Sequence, residues 1–153
     1  MPTIEDVKKF LAGEGITCLE FEEDTPTAET AAQAVGCTPA EIAKTVLFIV
    51  GGEPVVVVTS GDVKVKGSLL KAETGLTGKV LLPAADEVFR VTGYRPGGVC
   101  PFLLPRALRV VIDSSMRRFE KVYAAAGNDH SAVPITVDRL LAVTGGVEGV
   151  VCA

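Results

Sequence analysis

The chain has 153 residues, 48% of them hydrophobic, and a formal net charge of −4. That length suits one domain with a real core, and the apolar content excludes an intrinsically disordered chain. The acidic balance argues against a broad electrostatic grip on a nucleic-acid duplex, so no DNA partner is expected, but it allows a local contact with one RNA end.

Ile4, Val7, Phe10 and Leu11 share one helical face, and Gly13 or Gly15 can end that helix. Thr17 to Phe21 reads as a short strand, and Ala28 to Val35 as an alanine-rich helix stopped by Gly36. Thr38-Pro39-Ala40-Glu41 has the form of a helix start, with a cap, a proline at the first position and an acidic residue at the third. It delivers the chain to an apolar strand, Ile42 to Val50, which Gly51-Gly52-Glu53 turns into a second strand, Pro54 to Thr59. Helices are expected over about 67–74 and 84–90, strands over 108–112, 121–126 and 133–137, and a last helix from Val137 through Val143. Asp113-Ser114-Ser115 caps a short turn or helix. The apolar tail Val147 to Ala153 packs either on the body or on another chain. Neighbouring strand pairs with helices between them predict an α+β fold, a largely antiparallel mixed sheet or partial barrel surrounded by helices, in a single domain over 1–153. Neither G-x-G-x-x-G nor G-x-x-x-x-G-K-[ST] is present, which argues against a nucleotide-binding Rossmann or P-loop fold.

The cysteines Cys18, Cys37, Cys100 and Cys152 form no C-x-x-C pair, and His130 is the single histidine. With no metal-ligand spacing, neither metal nor cofactor is expected. The amino-terminal segment has no secretory pattern and the apolar runs are too short to span a bilayer. The expectation is a cytoplasmic protein with reduced thiols and no membrane partner.

Lys44 is the residue out of place. Alternation along the strand puts it on the face of Val46, Phe48 and Val50. It either snorkels from a strand end with its stem packed, or stands as a cation at the floor of a pocket for an anionic or carbonyl-bearing ligand. A second unusual segment is Gly93 to Pro105, with three glycines and three prolines in thirteen residues. Pro96-Gly97 suits the centre of a type II turn, and Gly98 leaves the next peptide without a side chain. The segment is either a plain surface connection or a rigid loop whose amides hold a carbonyl oxygen or oxyanion.

Taken with Ala31-Ala32-Gln33-Ala34-Val35-Gly36, Ile42-Ala43-Lys44-Thr45, Val57-Val58-Thr59-Ser60-Gly61-Asp62, Thr92-Gly93-Tyr94, Gly97-Gly98-Val99-Cys100-Pro101-Phe102 and Val122 to Gly127, the chain resembles the YbaK/EbsC family. These are stand-alone relatives of the editing domain inserted in bacterial prolyl-tRNA synthetases. The resemblance covers nearly the whole chain, with no synthetase catalytic domain.

It implies a trans-editing deacylase that hydrolyses the ester of a mischarged tRNA, typically Cys- or Ala-tRNA(Pro), with the tRNA acceptor end as partner. An aminoacyl-tRNA synthetase is a possible second partner, delivering the substrate. Lys44 and the loop glycines Gly97 and Gly98 are the implied catalytic elements, aided by the substrate's own ribose hydroxyl or cysteine thiol. The same motifs imply that Thr45, Ser60, Tyr94, Val99, Cys100, Pro101 and Gly127 lie around the substrate. The residues agree with such a mechanism in lacking a Ser-His-Asp arrangement, a carboxylate pair of clear role and a metal motif.

Three positions depart from the family pattern: Cys100 where serine is common, Leu103 where many members have glycine, and Ala125 where several have serine. They reshape the pocket and feed an alternative, a low-activity module that binds an aminoacyl group or nucleotide. Cys100 is either a small residue filling the serine's space or the nucleophile of an esterase, which would need His130 beside it. Asp129 either makes ordinary turn contacts or recognises the substrate's α-amino group, and His130 either does the same or meets the terminal nucleotide. Phe21 and Phe48 either wall the pocket or pack in the core.

Overall fold

A computed structural model describes residues 2–153. Among the described residues, five α-helices surround one eight-stranded mixed sheet. The helices are α1 (Ile4–Gly13), α2 (Ala28–Val35), α3 (Gly67–Thr74), α4 (Ala85–Thr92) and α5 (Val137–Thr144). The strands are β1 (Leu19–Glu20), β2 (Ile42–Val50), β3 (Glu53–Ser60), β4 (Val80–Leu81), β5 (Arg109–Asp113), β6 (Val122–Ala124), β7 (Ser131–Ile135) and β8 (Val147–Gly149). Their order across the sheet is β1-β7-β6-β2-β3-β5-β8, with β4 against β2. Short 3-10 turns occupy Pro39–Glu41 and Ser114–Arg118.

The expected β2–β3 hairpin is the centre of the sheet. Its two-residue turn, Gly51-Gly52, has positive φ at both positions, which matches the twist of the flanking strands. Val55, Val56, Val57 and Val58 are fully buried, as a central strand covered on both faces demands. One face carries Leu47, Val56, Val58 and Ile112 against Val7 and Leu11 of α1 and Leu140 of α5. The other carries Val50, Val55, Val57 and Val111, with Phe48 beside them, against Leu70 of α3 and Val151. Phe48 therefore packs in this second core.

The sheet differs from the sequence expectation at its margins. β1 is confined to two residues because β7 meets it only at Ser131 and Ala132. β4 and β8, two and three residues long, were not anticipated, because strands this short exist by pairing and show no alternation of their own. Parallel ladders join β2 to β6, β3 to β5 and β5 to β8, and antiparallel ladders make the remaining pairs.

The carboxyl-terminal tail packs on the body. Val65 and Cys152 form an antiparallel bridge, and Lys66 N–H donates to the Val151 carbonyl at 2.8 Å. Asp113 anchors the same region, accepting from Val151 N–H at 2.9 Å and Ser115 N–H at 3.0 Å while only 2% exposed. Burial works against its charge, but the bonds from Ser115, Val151 and Cys152 outweigh burial and hold the carboxyl below its usual range. Asp113→Ala is expected to cost about 3 kcal/mol, because two buried N–H donors lose a charged acceptor. Urea denaturation at pH 7 checks this, and an unchanged midpoint would refute it. Since the folded pKa is depressed, the contribution is present above the unfolded value of about 3.9 and disappears as pH falls through the lower folded value.

Candidate functional site

β2 has an open edge in the middle of the sheet. On the side away from β3, β6 pairs with it only at Ile42 and Ala43, and β4 only at Ile49 and Val50. From Lys44 to Phe48 that edge has no strand partner among the described residues. Continuing the β4 register would set Pro83 opposite Leu47, and proline has no N–H to donate, so the ladder stops. A cavity of about 390 Å³ lies along this edge. Lys44, Thr45 and Leu47 form one wall, Pro83 and Val88 another, and Pro26, Gly97, Val99 and Ala125 close it.

A larger cavity of about 740 Å³ lies elsewhere, between Phe10, Leu103, Leu104, Arg106 and Val147. Of the residues expected at the site it holds only Pro101, and Arg109 on its wall already donates to the Thr74 carbonyl. The smaller cavity is the candidate site because it gathers Lys44, Thr45, Gly97 and Val99.

Lys44 is exposed at the head of β2, opposite Thr59 on β3, and its ammonium makes no hydrogen bond or ion pair among the described residues. Its stem-packed and pocket-floor readings are compatible: the head reaches solvent at the cavity wall. The surface arginines Arg117 and Arg118 are neutralised by carboxylates. Arg117 binds Asp138 and Glu148, and Arg118 binds Asp62. Thr45 Oγ1 lies beside the cavity, buried and without a partner, and Ser60 Oγ is likewise buried and unpartnered but does not line it.

The glycine-proline loop forms the expected turn. Gly98 N–H donates to the Arg95 carbonyl at 2.9 Å, with Gly97 at φ 89° in the position that demands it. This corrects one expectation. The Gly98 amide closes the turn and is not free to hold an oxyanion, and Gly98 packs instead on the backbone of Asn128. Gly97 is exposed and lines the cavity, beside Pro26 and Asp129.

The stretch from Phe21 to Thr25 is stitched onto the turn before β7. Phe21 N–H donates to the His130 carbonyl at 2.8 Å, and Thr25 donates to the Asp129 carbonyl through its N–H and its hydroxyl. This brings Asp24, which the sequence did not single out, beside Asp129 and His130, with one ligand atom from each within 4.8 Å of the others. No spacing in the sequence announces that group. Asp129 and Asp24 give the neighbourhood of Gly97 a negative rim.

Several expected residues lie away from the cavity. Phe21 and Phe48 do not line it. Tyr94 is buried and donates its hydroxyl to the Phe102 carbonyl at 2.5 Å. Gly127 packs against the Tyr94 ring, and Pro101 belongs to the other cavity. Cys100 is fully buried, and burial pushes its thiol up to about 12. His130 is held at its two ring nitrogens by Asn128 and Asp129, and no hydrogen bond joins it to Cys100. Cys100 is therefore a packing residue with no base beside it. Leu103 is the one non-glycine with positive φ among the described residues, at 53°. It keeps the backbone shape that glycine adopts freely and turns its side chain toward the larger cavity.

Residues 22–143 match the model of the aminoacyl-tRNA editing domain. The chain is 36% identical over 122 residues to the uncharacterized protein YwhH of Bacillus subtilis, covering 79% of this chain and 76% of that one. It is 34% identical over 144 residues to a proline–tRNA ligase of Bacillus licheniformis, covering 88% of this chain but 24% of the ligase. A crystal structure described as that of a candidate trans-editing enzyme for prolyl tRNA synthetase superposes with a TM-score of 0.88 at 26% identity, over 100% of this chain and 98% of the other. With the fold, the motif set and more than half of the chain in agreement, this protein belongs to the aminoacyl-tRNA editing domain family.

Proposed function

We propose that the protein is a trans-acting deacylase that hydrolyses the ester of Cys- or Ala-tRNA(Pro). The observation that carries the reading is the unpaired Lys44 ammonium on the wall of a small, mostly apolar cavity bordered by the Gly97 turn. The ligase and trans-editing relatives support proline as the amino acid whose tRNA is policed.

A cavity of about 390 Å³ holds an aminoacyl group with the end of the terminal ribose, leaving the rest of the tRNA outside. The cation offsets the negative charge that develops on the ester or on the nearest phosphate. Lys64 and Lys66 flank Val65, which bridges Cys152, and the Cys152 thiol meets Thr59, the cross-strand partner of Lys44. These lysines lie at the same end of the sheet and suit a contact confined to the acceptor end, weak and salt-sensitive. In the step itself, a water oxygen bonds to the acyl carbon and the carbon–oxygen bond to the ribose breaks. The ribose oxygen leaves with a proton, and the neighbouring ribose hydroxyl orients the water. No protein nucleophile is required.

The alternative of a low-activity binding module leans on Cys100, Leu103 and Ala125, and only Ala125 touches the cavity. Deacylation of Ala-, Cys-, Ser- and Pro-tRNA(Pro) decides between the readings. The expected result is rapid loss of Ala or Cys with Pro spared, and turnover within about threefold of wild type for Cys100→Ser, since a buried thiol that only packs contributes little to the transition state. No turnover of any ester by folded protein would leave the binding module. Loss of activity in Cys100→Ser with the fold intact would restore the cysteine esterase.

A further inference from the structure

The hairpin register identifies which backbone groups face the cavity. In a two-residue hairpin the closing residues form a hydrogen-bonded pair, here Val50 and Glu53, and such pairs recur at every second residue. Gly61 N–H donating to the Ile42 carbonyl at 2.9 Å marks the other end of the same series. The even-numbered residues of β2 thus spend their N–H and C=O on β3, and the odd-numbered ones direct theirs to the opposite edge. Ala43 meets β6 there, Ile49 meets Leu81, and Gly51 N–H reaches the Lys79 carbonyl. Thr45 and Leu47 remain. Among the described residues neither the β6 ladder nor the β4 ladder reaches their N–H and C=O, and no loop backbone group bonds to them. Leu47 stands opposite Pro83, so Thr45 presents the freer pair, together with its buried, unpartnered hydroxyl.

An unpaired N–H and C=O in a cavity wall are costly unless a ligand or water satisfies them. We infer that Thr45 binds the substrate's aminoacyl group as a single added strand residue. This rests on the deacylase reading and names how that site holds its substrate. An α-amino ester carries the same pair of groups as a strand residue: a donor on the α-nitrogen and an acceptor on the adjacent carbonyl. Placed antiparallel to Thr45, its ammonium donates to the Thr45 carbonyl and its ester carbonyl accepts from the Thr45 N–H. The Thr45 amide then takes the oxyanion-holding role that Gly98, tied to Arg95, does not fill. Asp129, beside Gly97 just outside the cavity lining, and Asp24 next to it add a negative field that favours the ammonium, and Lys44, one residue away, favours the charge developing toward the ribose.

The arrangement also bears on which amino acid is refused. Side chains of an antiparallel pair project to the same face, so the substrate's side chain follows that of Thr45 toward the face where Leu47, Val88 and Val99 pack. There is room for a short side chain. Proline fits worse, because its ring closes onto the α-nitrogen: it replaces one of the ammonium protons and sets ring carbons beside the Thr45 carbonyl that the ammonium must reach.

Titration of ¹⁵N-labelled protein with 3′-(L-alanylamino)-3′-deoxyadenosine, an amide that cannot be hydrolysed as the ester is, tests the inference. The Thr45 amide is expected to move downfield and to exchange with solvent at least about tenfold more slowly, while the Gly98 amide stays in place. The 3′-propionylamino analogue, lacking the ammonium, is expected to bind about tenfold more weakly or worse. Shifts at Lys44 and Gly97 with the Thr45 amide unmoved would overturn the strand-like pose and leave the deacylase reading standing. A folded protein that binds neither analogue and turns over no ester would remove both.

Discussion

Lys44→Ala lowers the single-turnover rate of deacylation by about 10²–10³-fold, the usual cost of deleting one preorganised group that meets charge developing in a transition state. The same substitution is expected to change unfolding free energy by less than about 0.5 kcal/mol, because an exposed, unpaired side chain holds nothing else in place. The pairing of a large kinetic effect with a negligible stability effect is the signature sought. Lys44→Arg keeps the charge but not its point-like shape, so partial recovery is expected. Single-turnover assays beside thermal melts make the comparison. A variant that loses activity and several degrees of Tm together would mean that Lys44 supports the head of β2 and does not act on substrate.

Gly98→Ala has the largest expected effect on the fold of the site. A Cβ at this position would lie 2.8 Å from Asn128 Cα and 3.0 Å from Asn128 N, so one of two backbone turns must move. Overpacking of this kind costs about 1–3 kcal/mol. For a chain of this size that lowers Tm by about 2–10 °C. The displaced turn carries Asp129, so the cavity rim shifts with it and KM for the mischarged tRNA should rise. Gly97→Ala differs in kind: its Cβ would sit 3.6 Å from Pro26, at ordinary contact distance, and the penalty is the strain of φ 89° alone, about 1–2 kcal/mol. Calorimetry of both variants checks the order. A Gly97→Ala variant less stable than Gly98→Ala would contradict the close packing of Gly98 on Asn128.

Local chemistry made much of this protein legible in its sequence. The β2–β3 hairpin follows from two apolar runs around Gly51-Gly52, and the end of α2 follows from Gly36, which takes the left-handed conformation there. The Pro96-Gly97 turn follows because proline presets one φ and glycine accepts the other. Each of these depends on a few neighbours in the chain, and Lys44 stood out because its charge breaks a short-range pattern. The family resemblance lay in the same motifs.

What only the tertiary structure decided depends on partners far apart in the chain. Cys100 is inert because Tyr94 and Phe102 enclose it, and Gly98 cannot serve as an oxyanion donor because Arg95 already holds its N–H. Asp24 joins Asp129 and His130 only after Phe21 and Thr25 bond to the turn before β7. The bare edge at Thr45 exists because β6 ends early and β4 arrives with a proline, two events some 80 and 40 residues away that no pattern within β2 records. Alternation tells which side of a strand a side chain takes. Whether that strand's backbone is paired is settled by its neighbours in the sheet, and here the unpaired stretch is the wall of the site.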